Sequence, residues 1–137
     1  MTTEDIENIF KKNPSSFYEE NGGELLCGDC IQNMKKIKNN TIDLIFADPP
    51  YSIKKAEWDT FKSREEYIKW SIKWIKEAHR VLKDTGTLYI CGFSEILADL
   101  HFPAMKYFEN SRWLVWYYKN KANLGKIGDE AMKVLCA

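Results

Sequence analysis

The chain has no surplus of charge. Its 20 Lys and Arg balance 20 Asp and Glu, so the formal net charge is zero. That removes the long-range attraction by which strongly basic domains gather on nucleic acid and leaves such contacts to local clusters. Long hydrophobic runs are missing as well. Hydrophobic residues make up 45% of the chain, yet no stretch approaches the roughly 20 apolar residues of a membrane span. The opening MTTEDIENIFKK carries acids and no apolar core, so neither an export nor a transit peptide is expected. Histidine is scarce, with only His79 and His101. Of the four cysteines, Cys27 and Cys30 form a C-x-x-C, while Cys91 and Cys136 stand alone. A zinc site would want a second such pair or histidines at ligand spacing, so no metal is expected. A redox C-x-x-C at a helix start is one alternative; the simpler reading is reduced cysteines in a cytoplasmic protein. Prolines number only four, and two of them are adjacent, Pro49 and Pro50.

What is present reads as one globular domain. A chain of 137 residues is long enough to bury roughly two-thirds of its unfolded surface. Residues 2–12 suit a short amphipathic helix, and 13–23 read as loop. ELLC (24–27) is a short strand candidate, followed by a helix capped by Asp29 and running to about Ile37. TIDLIFA (41–47) is apolar enough throughout for a central parallel strand. Ser63 and Glu66 form an S-x-x-E capping box. Beyond it Tyr67, Trp70, Trp74, Ile75, Ala78, Val81 and Leu82 recur at helical spacing, which predicts an amphipathic helix over 64–82 with its tryptophans in the core. DTG (84–86) predicts a turn, TLYICG (87–92) a strand, 94–107 a helix interrupted near Pro103, and RWLVWYY (112–118) a further strand. Alternating strands and helices indicate an α/β sheet.

The candidate site is FADPPYS (46–52). In open α/β sheets ligands bind beyond the carboxyl ends of the strands, and Asp48 stands at that end of strand 41–47. Pro49 and Pro50 each hold φ near −65° and lack an N–H, and Asp48 before a proline is pushed to extended geometry. The product is a stiff turn of acceptors beside the flat face of Tyr51. Acceptors next to an aromatic ring suit a planar ligand bearing an amino group. An exocyclic amine on a nucleobase is a poor nucleophile because its lone pair is delocalised. The Asp48 carboxylate and the Pro49 carbonyl can hold both of its N–H bonds and favour a tetrahedral nitrogen. Lys54, Lys55 and Trp58, in the loop that follows, are candidate nucleic-acid contacts.

This stretch resembles the amino-methylating, S-adenosylmethionine-dependent DNA methyltransferases, whose signature is a [DNS]-P-P-[YFW] tetrad after a strand. LLCGDCIQNMKKIKNNTIDLIFADPPY is similar to the family's segment in which a G-D pair precedes the tetrad by about twenty residues. EWD (57–59) and REEYIKWSIKWIKEAHRVLKDTGTLYI extend the likeness across most of 24–125. The resemblance implies a Rossmann-like sheet with flanking helices, S-adenosylmethionine as methyl donor and DNA as partner. It places Asp48, Pro49, Pro50 and Tyr51 at the flipped base as catalytic residues, and Asp29, Cys30 and Asp48 at the cofactor. The early tetrad is that of the β class, and its leading Asp leans to adenine N6, where a Ser would lean to cytosine N4. Methylation of a ring carbon would need a cysteine nucleophile after a proline, and no cysteine follows one here.

The family's glycine-rich turn, F-x-G-x-G, does not occur among the seven glycines. The resemblance places that turn in a later C-terminal part, together with two strands that lie between those preceding Asp29 and Asp48. A partial methyltransferase domain is therefore expected: an N-terminal helix and loop (1–23), a family-like catalytic region (24–125) and a divergent tail (126–137). Such a chain is expected to pair with a complementing chain, to rearrange its strand order or to be inactive, and its exposed sheet edges suit self-association. The alternatives are a non-catalytic remnant or interaction module, and an amino-methyltransferase acting on cytosine N4, RNA or a protein amide.

Overall fold

A computed structural model of the protein describes residues 18–20, 23–54, 56–116 and 132–136. The chain divides into two compact units, Met1–Lys38 and Asn39–Ala137. In the first, strands β1 (Tyr18–Glu20) and β2 (Gly23–Leu25) pair antiparallel, Tyr18 opposite Leu25. The expected loop over 13–23 thus contains a strand, since three residues with a partner suffice for a ladder. The helix expected over 2–12 lies outside the described residues. Helix α1 (Cys30–Met34) follows, capped by Asp29, whose Oδ1 accepts the Gln32 amide at 2.8 Å. The cap falls where expected, but the helix ends before Ile37.

The second unit carries a four-stranded sheet in the order β3-β4-β6-β5. Strand β3 (Ile42–Ala47) leads through a loop to helix α2 (Arg64–Val81), strand β4 (Leu82–Gly92), helix α3 (Ser94–Ala104), β5 (Arg112–Trp116) and β6 (Met132–Cys136). β3 and β4 are parallel, with Phe46 opposite Tyr89 and Ala47 opposite Ile90. The Phe46 and Tyr89 rings stack at 6.3 Å, a cross-strand pair that helps hold the register. β6 runs antiparallel between β4 and β5. It falls in the tail expected to diverge; five residues, MKVLC, are too short a run to declare themselves without their partners.

Helix α2 forms as its sequence dictates. Ser63 caps it, accepting the Glu66 amide at 3.2 Å. The capping box is half made, because the Glu66 carboxylate reaches back to the Lys62 amide at 2.7 Å instead of that of Ser63. Tyr67, Ser71, Trp74, Ile75, Ala78 and Val81 are buried along one face, packed on β4 and α3. Ile75, Leu88, Leu97 and Leu100 are fully enclosed, each contributing about 1.5–3 kcal/mol relative to exposure. The tryptophan reading holds for Trp74, which is core.

Two further elements differ from expectation. The DTG turn lies within β4: between the pairs Ile42–Leu82 and Leu44–Thr87, β3 advances two residues and β4 five, so 83–86 bulge out of the ladder. β3 is parallel as expected, but it stands at the end of the described order, with Leu44 and Phe46 exposed. An apolar run shows that both faces want cover; it does not name the elements that provide it.

The bulge leaves no room at Gly86. A Cβ there would meet the Lys83 carbonyl oxygen at 2.9 Å and that of Ile42 at 3.1 Å. Backbone oxygens yield poorly, so Gly86→Ala is expected to destabilise the fold by about 1–3 kcal/mol. Urea denaturation measures this, and an unchanged midpoint would contradict the packing described.

Candidate active site

β3 and β4 end side by side, and the register that pairs Ala47 with Ile90 brings Asp48 next to Cys91 at the carboxyl edge. Pro49 and Pro50 then stop the ladder, having no N–H to offer. Asp48 is exposed, while Pro49, Pro50 and Tyr51 are half-buried. The Tyr51 hydroxyl donates to Asp48 Oδ1. The Tyr51 ring stands edge-on to Phe93, the residue that links β4 to α3, with centroids 5.2 Å apart and planes at 66°. One tetrad residue thus orients another. A carboxylate has about four acceptor positions, so Asp48 keeps capacity for a ligand.

The loop beyond the tetrad is bent sharply. Ser52 and Lys54 have φ of 57° and 59°, conformations that cost a non-glycine residue about 1–3 kcal/mol unless the surroundings enforce them. Asp59 does so. It is 2% exposed, and it accepts the Ser52 amide at 2.7 Å through Oδ1 and the Ile53 amide at 3.0 Å through Oδ2. It closes a 3-10 turn, Glu57–Asp59, whose middle residue Trp58 is 72% exposed.

A cavity of about 260 Å³ is lined by Asp48, Pro49, Pro50, Tyr51, Ile53, Trp58 and Asp59. That lies just below the roughly 300–1,000 Å³ usual for drug-sized ligands and suits a single planar ring system. Tyr51 and Ile53 also line a larger cavity, about 650 Å³, together with Lys54, Phe61, Lys62, Arg64, Tyr67 and Phe93. Arg64 is committed elsewhere, to the Asp99 carboxylate and the Glu95 carbonyl. Lys54 and Lys62 therefore bring the positive charge of this cavity.

The sequence-predicted residues are only partly gathered. Asp48, Pro49, Pro50, Tyr51 and Trp58 share one cavity, and Lys54 lines the next. Lys55 lies outside the described residues. Asp29 and Cys30 belong to the first unit, where both are exposed at the start of α1. The Cys30 thiol is raised above its usual range by partial loss of water and by the Asp29 carboxylate, which does not favour a redox C-x-x-C. Burial likewise pushes the Cys91 thiol up, and the Asp48 charge adds to it. All four cysteines are free thiols. Sequence reasoning gave no role to Asp59 or Phe93; the EWD likeness was a signal for the former, while an aromatic residue just past a strand signals nothing by itself.

A family model described as DNA methylase, covering the N6 and N4 amino type, matches residues 42–132. The chain belongs to this DNA methylase family. Curated relatives include the type II methyltransferase M.HinfI of Haemophilus influenzae, 39% identical over 84 residues (50% of this chain, 23% of the relative). M.HpaI of Haemophilus parainfluenzae is 36% identical over 100 residues (69% and 31%). The DNA adenine methyltransferase YhdJ of Escherichia coli K12 is 36% identical over 96 residues (69% and 33%). The chain thus spans about a quarter to a third of the length of these relatives. Among solved structures, the cytosine-N4-specific PvuII DNA methyltransferase superposes with a TM-score of 0.65 at 15% identity, over 83% of this chain and 48% of that one. A DNA modification methylase from Thermus thermophilus, described as putative, gives 0.57 at 18%, over 80% and 49%. These likenesses establish the Rossmann-like methyltransferase fold, here in part. Membership of the family implies S-adenosylmethionine as methyl donor. Among the described residues no helix is long and apolar enough to cross a membrane.

The raised Cys91 thiol has a measurable consequence. At pH 8 the native chain is expected to alkylate at Cys91 more slowly than the urea-unfolded chain, because the side chain is enclosed and the reactive thiolate is disfavoured there. Peptide mass spectrometry after timed iodoacetamide treatment reads the rates; equal rates would remove the burial and charge argument.

Proposed function

We propose that this methylase-family chain carries the base-binding and amine-polarising half of an adenine-N6 DNA methyltransferase. The observation that carries this reading is the Asp48–Tyr51 arrangement: an exposed carboxylate, aimed by a tyrosine, at the rim of a cavity sized for one base. Asp48 and the Pro49 carbonyl accept the two N–H groups of the target amine and turn its lone pair outward. A charge-assisted hydrogen bond of this kind contributes about 1.5–3 kcal/mol, and alignment of the reactants contributes more. Extruding the base costs a few kcal/mol, offset in part by stacking on Tyr51 or Trp58 at about 1–3 kcal/mol per base. The Pro-Pro turn offers no competing N–H donor.

When bound, S-adenosylmethionine would supply an electrophilic methyl group. The residues present fit its recognition in part. Asp29 is exposed, with one oxygen on the Gln32 amide and further acceptor capacity for a hydroxyl, and Cys30 stands next to it. The glycine-rich turn does not occur in this sequence. Lys54, Lys55 and Trp58 serve as contacts to the DNA strand. The adenine preference follows the leading Asp of the tetrad and the name of the YhdJ relative. We further propose that a complementing chain, or a second copy, completes the sheet beside β3, which stands at the end of the described strand order. In domain terms, 24–125 is the catalytic region, with 1–23 and 126–137 flanking it. A cytoplasmic location is proposed on the same ground, the action on cellular DNA.

Transfer of labelled methyl to duplex DNA, followed by digestion to nucleosides, tests the reading. Label is expected in N6-methyladenine; label confined to N4-methylcytosine would overturn the adenine assignment. Asp48→Ala is expected to lower transfer by roughly 10²–10³-fold or more, and persistence of full transfer would refute its role. Tyr51→Phe, which keeps the ring and removes only the hydroxyl, is expected to stay within about tenfold of the parent, whereas Tyr51→Ala also loses the roughly 1–3 kcal/mol of stacking. Single-turnover rates on the same DNA separate the two variants.

A further inference from the structure

We propose that Asp59 is a positioning residue of this site, acting through the backbone that follows the tetrad; the inference deepens the function proposed above and rests on it. Three successive amides converge on this one residue. Ser52 and Ile53 donate to its two carboxylate oxygens at 2.7 and 3.0 Å, and Lys54 donates to its carbonyl at 3.3 Å. Asp59 in turn donates its own amide to the Ala56 carbonyl at 3.0 Å, which fixes it in the 3-10 turn. A carboxylate buried to this degree is costly unless it is hydrogen-bonded, and charge-assisted bonds to backbone amides are the strong kind.

The consequence falls on Tyr51. The residue after it, Ser52, is held in the left-handed region by the Asp59 clamp, as is Lys54 two positions on. With that backbone fixed on one side and Pro50 on the other, the Tyr51 side chain has little freedom beyond its own rotamers. It is then seated on Phe93 and bonded to Asp48. Asp59 need not touch the base to set where the Asp48 acceptor points. Its side chain is fully enclosed and near enough to Tyr67 of α2 to act on that hydroxyl, so the clamp is told apart from the fold by comparing the loop amides with those of β4. A purely structural aspartate would instead be expected to hold elements of the sheet together, whereas these amide bonds tie down the loop.

The test uses Asp59→Asn, which keeps one acceptor oxygen and sets an NH2 group against the other amide, and Asp59→Ala as the fuller deletion. Amide hydrogen exchange followed by NMR reads the clamp without requiring activity. In Asp59→Asn the Ser52 or the Ile53 amide is expected to exchange at least tenfold faster, while the Leu88 and Ile90 amides of β4 keep the parent rate. In methyl transfer, kcat is expected to fall roughly tenfold to a hundredfold, the order of loss that a misplacement of about 1 Å produces, with KM for DNA within about threefold. Unchanged exchange at both loop amides would overturn the clamp. Equal acceleration throughout β4 would show a merely structural role, as would a parent-like kcat in a variant whose loop amides exchange faster. Should the parent chain itself transfer no methyl, the proposed function fails, and the exchange measurement still decides whether Asp59 fixes the loop.

Discussion

The structure around the site depends on one constraint: the backbone loses two consecutive N–H groups at Pro49 and Pro50. A parallel ladder cannot continue through them, so β3 must stop at its carboxyl end and the chain must leave the sheet there. The register with β4 fixes where this happens, level with Cys91 and just before Phe93. Beyond Tyr51, the amides of Ser52 and Ile53 have left the ladder and still need acceptors. Asp59 provides them from seven and six residues away. The turn at 57–59, the left-handed residues and the seat of Tyr51 on Phe93 all follow from that first interruption.

The same edge explains why the site offers acceptors and not a nucleophile. Cys91 lies beside Asp48, but burial and the neighbouring negative charge both favour its neutral thiol. A thiolate there would set two negative charges side by side, one of them poorly hydrated. The exposed carboxylate is the group that stays in contact with water and with any ligand. Neutral overall charge is compatible with a nucleic-acid role because the positive groups are local: Lys54 and Lys62 line the cavity next to the tetrad, while Arg64 is held by Asp99 and Glu95.

The parts legible in the sequence were those set by local rules. Periodicity and the Ser63 cap defined α2 to within a residue at its end, and the Asp-Pro-Pro-Tyr order defined the end of β3. The parts that were not legible depend on partners distant in sequence. β6 is five residues whose strand character comes from lying between β4 and β5. β1 exists because Leu25 and Glu24 pair with it. The DTG segment carries turn chemistry and does bend, but the ladder resumes at Thr87 and absorbs the bend as a bulge. Glu66 satisfied the capping pattern, yet its carboxylate took the Lys62 amide one residue earlier. Sequence placed Asp48 and Tyr51 together; that the tyrosine hydroxyl would engage the carboxylate, and that Asp59 would hold the loop behind them, required the folded turn.

Asp48 and Asp59 show how environment sorts two identical side chains into different work. Both lie at one small cavity, on one short segment. Asp59 is enclosed, and both of its oxygens are taken by amides whose positions its own turn dictates, so its charge goes to holding backbone and not to a ligand. Asp48 is exposed, and the bond it accepts from the Tyr51 hydroxyl falls on one oxygen only. A carboxylate with spare lone pairs at a cavity rim can exchange partners as a ligand arrives, and a carboxylate saturated by backbone cannot. Swapping the two environments would leave the sequence motif intact and the chemistry absent. The tetrad is therefore a necessary description of this site, and the loop that returns to Asp59 is what makes its geometry definite.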